Sequence, residues 1–324
     1  MTHPQWEDYW RTGSVVSCPT DCAGGCTGNL KSVWEQFFEA LPEGARVLDI
    51  GTGNGAVPLI ALDVARRRSV TLDVHGIDLA RIEPRRYVPD GVRLFEGAVF
   101  HGGVAAEAMP FAGGYFAAVS GQYALEYAQR ETVLREVRRV MAVSAPARFV
   151  LHHASSIVVR NARESLLHAR ELEDRAAAFA DLREFVAAER RDAARAARLY
   201  ARMTERMQHL HRLAAESKGS NLLAGVLLPA LGNLFERRQH MSVADFAAAV
   251  DGTHRAFKAA EQRLRDLVDA ALDEAAMWRL ADQARGSGFR DVQFAPMWQD
   301  AESLVGWRLD MTAAAASDGA GSAP

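Results

Sequence analysis

The segment "VLDIGTGNG", residues 47–55, decides the fold. Its first half is apolar apart from Asp49, which is typical of a short buried strand. Its second half alternates glycine with other residues, at Gly51, Gly53 and Gly55. Glycine supplies the dihedral freedom of a tight turn, and residues 56–68 then follow a helical pattern. A helix N-terminus is therefore expected to face the end of a strand, where its free N–H groups bind a carboxylate or a phosphate.

Strand and helix patterns alternate outward from this segment. Strands are predicted at residues 46–50, 70–78, 92–97, 115–121 and 147–153, and again at 286–298 and 302–311. Strands separated by helices pair in parallel through right-handed crossovers. The sequence therefore predicts an α/β fold, a doubly wound and mostly parallel seven-stranded sheet.

The alternation of strand and helix patterns ends after the fifth strand. Residues 157–285 are rich in Ala, Arg, Leu and Glu, which favour helix. We expect 45–156 and 286–311 to form a Rossmann-like domain, with 157–285 as a large all-helical insertion between strands 5 and 6. Residues 1–44 are expected to be an N-terminal segment and helix, and 312–324 a disordered tail. The aromatic residues near the start, Trp6, Tyr9 and Trp10, are candidates for a lid over the site or for a simple apolar anchor.

Composition and charge give no support to a nucleic-acid or membrane function. The 324 residues are 49% hydrophobic and carry a net charge of −3, which gives no global argument for nucleic acid or an anionic membrane. No signal peptide is visible, and the longest apolar stretch (222–235) is interrupted and too short for a membrane span. A cytoplasmic protein with no membrane partner is expected.

The cysteines fall in one stretch, at Cys18, Cys22 and Cys26. Clustered thiolates are able to chelate zinc or iron. This spacing lacks the CxxC knuckle and fourth ligand of known zinc patterns. We therefore predict ordinary reduced thiols and no metal.

The glycine segment fits two cofactors. With Ala56 it satisfies the GxGxx(G/A) pattern of dinucleotide-binding enzymes. With Asp49 it satisfies (D/E)xGxGxG, and an acidic group there repels pyrophosphate and attracts an ammonium group. Asp78 ends the second strand, where an acidic residue accepts hydrogen bonds from ribose hydroxyls. Asp78 supports an adenosine cofactor without separating the two interpretations.

Three blocks together resemble the class I S-adenosylmethionine-dependent methyltransferases, with a core like the small-molecule, ubiquinone-biosynthesis-type enzymes. They are "VLDIGTGNG", "GIDLA" and "AEAMPFAGGYFAAVSGQYALEY", followed by the run into "RFVLHH". The resemblance covers about residues 45–155 and, more weakly, 286–311. It implies that S-adenosylmethionine is bound by Asp49, Gly51, Thr52, Gly53, Asp78, Leu79, Ala106, Glu107 and Gln122.

The chain departs from the family pattern at two positions. Many members have Asp where this chain has Ala105, and that Asp accepts from the adenine amino group. A backbone carbonyl, Glu107 or His101 is a candidate replacement. The "FDxV" aspartate is likewise replaced, by Ala117.

Catalytic candidates follow the fourth and fifth strands, because ligands bind beyond the carboxyl ends of parallel strands. His153, His152 and Tyr123 are the residues that we expect near the transferred methyl group. Methyl transfer from a sulfonium is an in-line displacement, so a base is needed only if the nucleophile must lose a proton. The competing interpretation makes the histidines strand-end residues bonded to backbone, and Glu126 a pocket residue or a helix cap.

The helical segment carries a basic stripe, at Arg191, Arg195, Arg198, Arg202 and Arg206. We interpret it as a solvated face paired with neighbouring acidic residues, since no aromatic residues interleave to stack on bases. The same helix has an apolar face, at Leu199, Met203, Met207 and Leu210. Its partner is either the stretch 220–235 or a second subunit, which makes a homodimer through the insertion possible.

The sequence therefore predicts a S-adenosylmethionine-dependent methyltransferase with a small-molecule acceptor. An NAD-dependent oxidoreductase and a catalytically silent cofactor-binding scaffold are the alternatives.

Overall fold

The computed structural model describes residues 4–16, 28–174, 177–217 and 222–315. Its strands are β1 (Ala45–Ile50), β2 (Leu72–Asp78), β3 (Ala98–Gly102), β4 (Ala118–Gln122), β5 (Pro146–Leu151), β6 (Phe289–Trp298) and β7 (Leu304–Ala313). Its helices are α1 (Pro4–Trp10), α2 (Gly28–Glu39), α3 (Ala56–Arg68), α4 (Pro84–Tyr87), α5 (Gly91–Leu94), α6 (Arg130–Val140), α7 (Ile157–Asp174), α8 (Ala177–Glu189), α9 (Ala193–Glu216), α10 (Leu222–Arg237), α11 (Val243–Ala270) and α12 (Glu274–Gly286). The three cysteines and residues 316–324 of the predicted tail lie outside the described residues, whereas Thr312 and Ala313, also predicted as tail, belong to β7.

The strands form one seven-stranded sheet in the order β3-β2-β1-β4-β5-β7-β6. The first five are parallel, whereas β7 lies antiparallel between β5 and β6. The predicted α/β class and seven-stranded sheet are confirmed, and the sheet is mixed. Successive strands run outward from β1 in one direction and from β4 in the other, so the topological switch point lies between β1 and β4. Ligands of open α/β sheets bind beyond the strand ends at such a point.

Both faces of the central strands are buried. Along β1, Val47 packs with α2 and α3, and Leu48 packs with α6 and α12. Alternate residues of a strand point to opposite faces, so a strand covered by helices on both sides reads as the nearly continuous apolar run seen in the sequence.

The third strand lies further along the chain than the sequence predicts. Residues 92–97 were expected as a strand, but Gly91–Leu94 form α5 and the strand is Ala98–Gly102. Burial follows helical rather than strand spacing, because Gly91 and Phe95 are buried four positions apart while Val92 and Arg93 are exposed. Phe95 packs against the glycine loop near Gly55, and this tertiary contact outweighs the local pattern.

The chain divides into two compact units. The first contains the described residues up to Val158 and from Ala270 onward, and includes the whole sheet. At its start, Trp6, Tyr9 and Trp10 lie on α1. No helix within the described ranges is long and apolar enough to cross a lipid bilayer.

The second unit, Val159–Asp269, is helical in its described residues. In the part of the chain that the structure describes, three of the five arginines in the predicted basic stripe are paired with acidic residues of α8. Arg202 and Arg206 both contact the buried Asp181. Arg195 pairs with Glu184 at 2.6 Å. The apolar face of α9 packs in one cluster with residues of α8 and α10, which confirms the stretch 220–235 as a partner of that face.

Candidate functional site

The glycine loop connects β1 to α3 at the switch point of the sheet. Gly51, Gly53 and Gly55 all have positive φ, of 64°, 51° and 85°. L side chains rarely adopt this region. At Gly51 a Cβ would also lie 2.3 Å from the Cβ of Ala124. Glycine is therefore required at this position by both backbone conformation and space.

Asp49 lies at the end of β1 and is 2% exposed. The Ser120 hydroxyl of the neighbouring strand donates to its Oδ1 at 2.8 Å. Burial raises the pKa of Asp49 to about 7, against the lowering effect of that hydrogen bond, and the negative charge of Asp78 raises it further. Because its pKa is about 7, this carboxyl is only partly ionised at neutral pH. A cation beside it would stabilise its charged form.

Asp78 lies at the end of β2 and fastens the glycine loop. Its Oδ2 accepts from the Gly53 backbone N–H and its Oδ1 from that of Ala80, each at 2.8 Å. Burial raises the pKa of Asp78 to about 6, although both backbone hydrogen bonds lower it. The Thr52 N–H also donates to the Ile77 carbonyl at 2.9 Å. The two strand ends and the loop thus form one connected acidic site.

The N-terminal segment contacts this loop. The ring of Trp10 stands over Gly53, where a Cβ would approach it to 2.4 Å. The fully buried Asn54 donates from Nδ2 to the carbonyls of Trp10 and Ser14, each at 2.8 Å. The sequence alone gave no signal for this role of Asn54, because its partners lie about forty positions away along the chain.

The loop after β3 lies beside the end of β2, since the Val104 N–H donates to the Asp78 carbonyl at 2.9 Å. Ala106 packs against the apolar core on the face of the sheet that α6 and α12 cover. Glu107 accepts from the Gln129 N–H at 3.0 Å, at the start of α6. Leu79 is 45% exposed next to the acidic pair.

His101 was a candidate replacement for the missing acidic residue at Ala105. Its Nε2 lies 3.2 Å from Nδ1 of His75, and the two rings stack. Burial and the neighbouring imidazole lower the pKa of His101. His101 and Glu107 both have other partners in this structure. Of the three candidates for the contact with the adenine amino group, the backbone carbonyl is therefore favoured.

At the end of β4, Gln122 and Tyr123 have different neighbours. The Gln122 Oε1 accepts from the Trp34 indole N–H of α2 at 2.7 Å. Tyr123 has a positive φ of 54° and donates its hydroxyl to the Val305 carbonyl at 3.1 Å. Its ring lies parallel to that of His152, with centroids 4.1 Å apart. Tyr123 and His152 are therefore in direct contact.

His152 and His153 lie on opposite sides of the strand end. His152 is 2% exposed, and burial lowers its pKa to about 3, so that it is neutral. His153 stacks on Trp307 at 4.3 Å. Its Nδ1 accepts from the Ser155 N–H at 2.9 Å, so the proton of its neutral ring is on Nε2. The structure brings His152 to Tyr123 and leaves His153 against Trp307.

Glu126 completes the group around His152. It is 4% exposed, and its Oε1 accepts from the His152 backbone N–H at 2.7 Å. Burial raises the pKa of Glu126 to about 7. Within the described residues, Oε2 of Glu126 and Nδ1 of His152 are both buried without a hydrogen-bond partner. Buried polar atoms without a partner are uncommon in proteins, and a catalytic role is one explanation for them.

No protein-family model matches the chain, and no curated protein sequence matches it. Solved structures are similar over part of the fold. Geranyl diphosphate methyltransferase, in complex with GPP and sinefungin, is 17% identical with a TM-score of 0.32, and the match covers 38% of this chain and 43% of that one. A SAM-dependent methyltransferase from Methanosarcina mazei is 23% identical with a TM-score of 0.28, over 37% of this chain and 58% of that one.

A S-adenosylmethionine-dependent methyltransferase from Mesorhizobium loti is 16% identical with a TM-score of 0.28, over 37% of this chain and 52% of that one. The chain thus spans about half the length of the solved structures it matches.

Proposed function

We propose that this chain is a S-adenosylmethionine-dependent methyltransferase that acts on a small molecule. One observation carries the proposal. Two carboxyls with raised pKa values, the buried Asp49 and the half-buried Asp78, flank the glycine loop at the end of β1. Such a pair is stabilised by a positively charged ligand and destabilised by a negatively charged one.

The acidic pair therefore fits the proposed cofactor better than a dinucleotide. S-adenosylmethionine, when bound, would supply a methyl group on a positively charged sulfonium, together with an ammonium group. Asp49 would hold the ammonium, and Asp78 would accept from the ribose hydroxyls with lone pairs not used by Gly53 and Ala80. A pyrophosphate would instead bring negative charge beside both carboxyls, at a cost that grows with their burial.

The remaining cofactor residues have supporting roles. Leu79 offers an exposed apolar side chain, and Ala106 a small one, to the flat adenine ring. Glu107 would orient the loop from which the adenine contact comes. Gln122 would act through Trp34, fixing the end of β4 against α2. Trp10 and α1 would cover the glycine loop as a lid.

On the acceptor side, Tyr123, His152 and Glu126 are the residues that we assign to orientation and proton transfer. His152 is too weak a base near neutral pH, and the Nδ1 lone pair of His153 is already used. The Oε2 of Glu126 titrates near neutrality and is buried beside His152. If the acceptor must lose a proton, Glu126 takes it, because a base works best with a pKa near the working pH.

The helical unit Val159–Asp269 contains neither the glycine loop nor the acidic pair. We assign it to acceptor choice or to self-association, as a helical insertion in the methyltransferase domain. A homodimer in light scattering of the full chain, weakened by changes on exposed residues of this unit, would support self-association. A monomer would instead favour the role of this unit in acceptor choice.

Calorimetric titration with S-adenosylhomocysteine tests the proposal. We expect micromolar binding to the wild type that Asp78→Asn weakens by about tenfold or more, through loss of one charge-assisted hydrogen bond. Asp73→Asn is the matched control, since Asp73 lies on the same strand and is exposed. NAD is titrated in parallel.

Three outcomes would contradict the proposal. Binding of NAD that excludes S-adenosylhomocysteine would establish an oxidoreductase-type cofactor. Absence of binding by either would remove the cofactor hypothesis. Binding of S-adenosylhomocysteine with no methyl transfer to any of a broad set of acceptors would support the silent scaffold.

A further inference from the structure

The helical unit contains a cavity of about 290 Å³ between α8, α9 and α10. Its floor consists of the buried Leu182, Met203 and Leu231, and the half-buried Met207 and Phe235 form its walls. Close-packed protein interiors leave few voids larger than a water molecule. A space of this size lies near the lower end of the volumes of ligand pockets, roughly 300–1,000 Å³.

Polar side chains surround the mouth of this cavity. Tyr200, Thr204, Gln208 and His211 are exposed. Nδ1 of His211 lies 2.8 Å from the Met207 carbonyl. Because a carbonyl only accepts, Nδ1 carries the proton and Nε2 of the neutral ring is an acceptor. The cavity thus combines an apolar floor with hydrogen-bonding groups at one edge.

The cavity offers no ion to a charged ligand. None of the described residues that line it is Asp, Glu, Lys or Arg. Arg202 and Arg206 lie between lining residues in the sequence of α9, but both contact the buried Asp181 instead. A charged group would lose water in the cavity without gaining a counterion, which is costly. The chemistry therefore favours a neutral molecule.

Gly232 lines the cavity on the side formed by α10. A Cβ built at Gly232 would meet nothing within 4 Å, although glycine is disfavoured within a helix. A larger side chain at this position would enter the cavity that Gly232 lines. Gly225 of the same helix also has nothing within 4 Å, but it does not line the cavity.

We propose that this cavity binds one neutral, mainly apolar small molecule with a hydrogen-bonding end, of the chemical class of a long-chain alcohol. Its alkyl part lies on Leu182, Met203 and Leu231, where the flexible methionines adapt to its shape. Its hydroxyl lies at the mouth, near Gln208 and His211. This site is independent of the proposed methyl transfer.

The test compares Gly232→Leu with Gly225→Leu in the full chain. Both changes replace a helical glycine on α10 by leucine, and thermal melting establishes that both variants fold. Nile red, a neutral dye, reports binding, and 1-dodecanol below its solubility limit displaces it. We expect one saturable site that Gly232→Leu weakens by about tenfold or more, the effect of losing about two buried methylene groups. Gly225→Leu should bind as the wild type does, and dodecanoate should compete more weakly than dodecanol.

Several results would overturn the proposal. They are the absence of saturable binding, equal weakening by both variants, and equal competition by the carboxylate and the alcohol. A self-associating wild type that Gly232→Leu converts to monomer, with no dodecanol binding, would instead make this face a protein interface.

Discussion

Replacing Asp49 by Asn should make the protein more stable in alkaline solution while weakening cofactor binding. Burial raises the pKa of Asp49 to about 7 from its ordinary value of 3.8. A carboxyl whose pKa is raised on folding binds its proton more tightly in the folded state. Its contribution to stability is therefore fully present below about pH 4 and is lost as pH rises through 7. Asparagine is never ionised and avoids this loss.

The magnitude follows from the difference in pKa. A difference of about three units, at 1.36 kcal/mol per unit, sets an upper limit of about 4 kcal/mol at pH 8. Exchange of the carboxylate for an amide also weakens the hydrogen bond from Ser120, which removes about 1 kcal/mol. We expect Asp49→Asn to raise the free energy of unfolding by about 2–3 kcal/mol at pH 8 and to have little effect at pH 4.

Urea denaturation of the free protein at pH 4, 6 and 8 measures this dependence, with Asp73→Asn as the control for loss of an exposed carboxyl. S-adenosylhomocysteine titrations on the same samples should show weaker binding by Asp49→Asn at pH 8. A stability difference that does not change with pH would refute the argument that a buried, ionised carboxyl destabilises the free protein. So would a variant that is less stable than the wild type at pH 8.

The other predictions concern the base, the glycine turn and the N-terminal segment. With an accepted substrate, the wild-type rate should rise with pH through about 7 as Glu126 ionises, and Glu126→Gln should lose this rise together with a factor of about 10² or more in initial rate. Gly51→Ala should destabilise the protein by about 2 kcal/mol or more in urea denaturation, and by more than Gly114→Ala, which has a similar φ but open space around it. Asn54→Ala removes two hydrogen bonds worth about 2 kcal/mol together, so tryptic cleavage after Arg11 should accelerate by about thirtyfold; an unchanged cleavage rate would contradict the anchoring role.

Local patterns predicted most of the first compact unit. The apolar run before Gly51 predicted β1, and the acidic residue at the next strand end predicted Asp78. The loop after β1 is hydrogen-bonded to that end of β2, through Gly53 and Asp78. These predictions succeeded because strand, turn and helix signals near β1 and β2 all agree. The signal failed at residues 92–97, where the burial of Phe95 depends on packing distant in sequence.

The candidate site was less predictable where partners come from far along the chain. The sequence placed His152, His153 and Tyr123 after neighbouring strands, but it did not show that Tyr123 stacks on His152 while His153 stacks on Trp307. The bond from Trp34 to Gln122 joins residues 88 positions apart and leaves no local trace. The orphaned oxygen of Glu126 likewise becomes visible only when burial is known.

The position of β7 has a consequence for the order in which the chain folds. Its register pairs Leu151 with Trp307, more than 150 positions apart. Closing so long a loop is entropically costly, and pairings of this kind form slowly. During synthesis, β1–β5 are complete long before β7 is made, and the free edge of β5 stays open to other strands meanwhile. A newly made chain would therefore pass through an aggregation-prone interval that ends only when β7 closes the sheet.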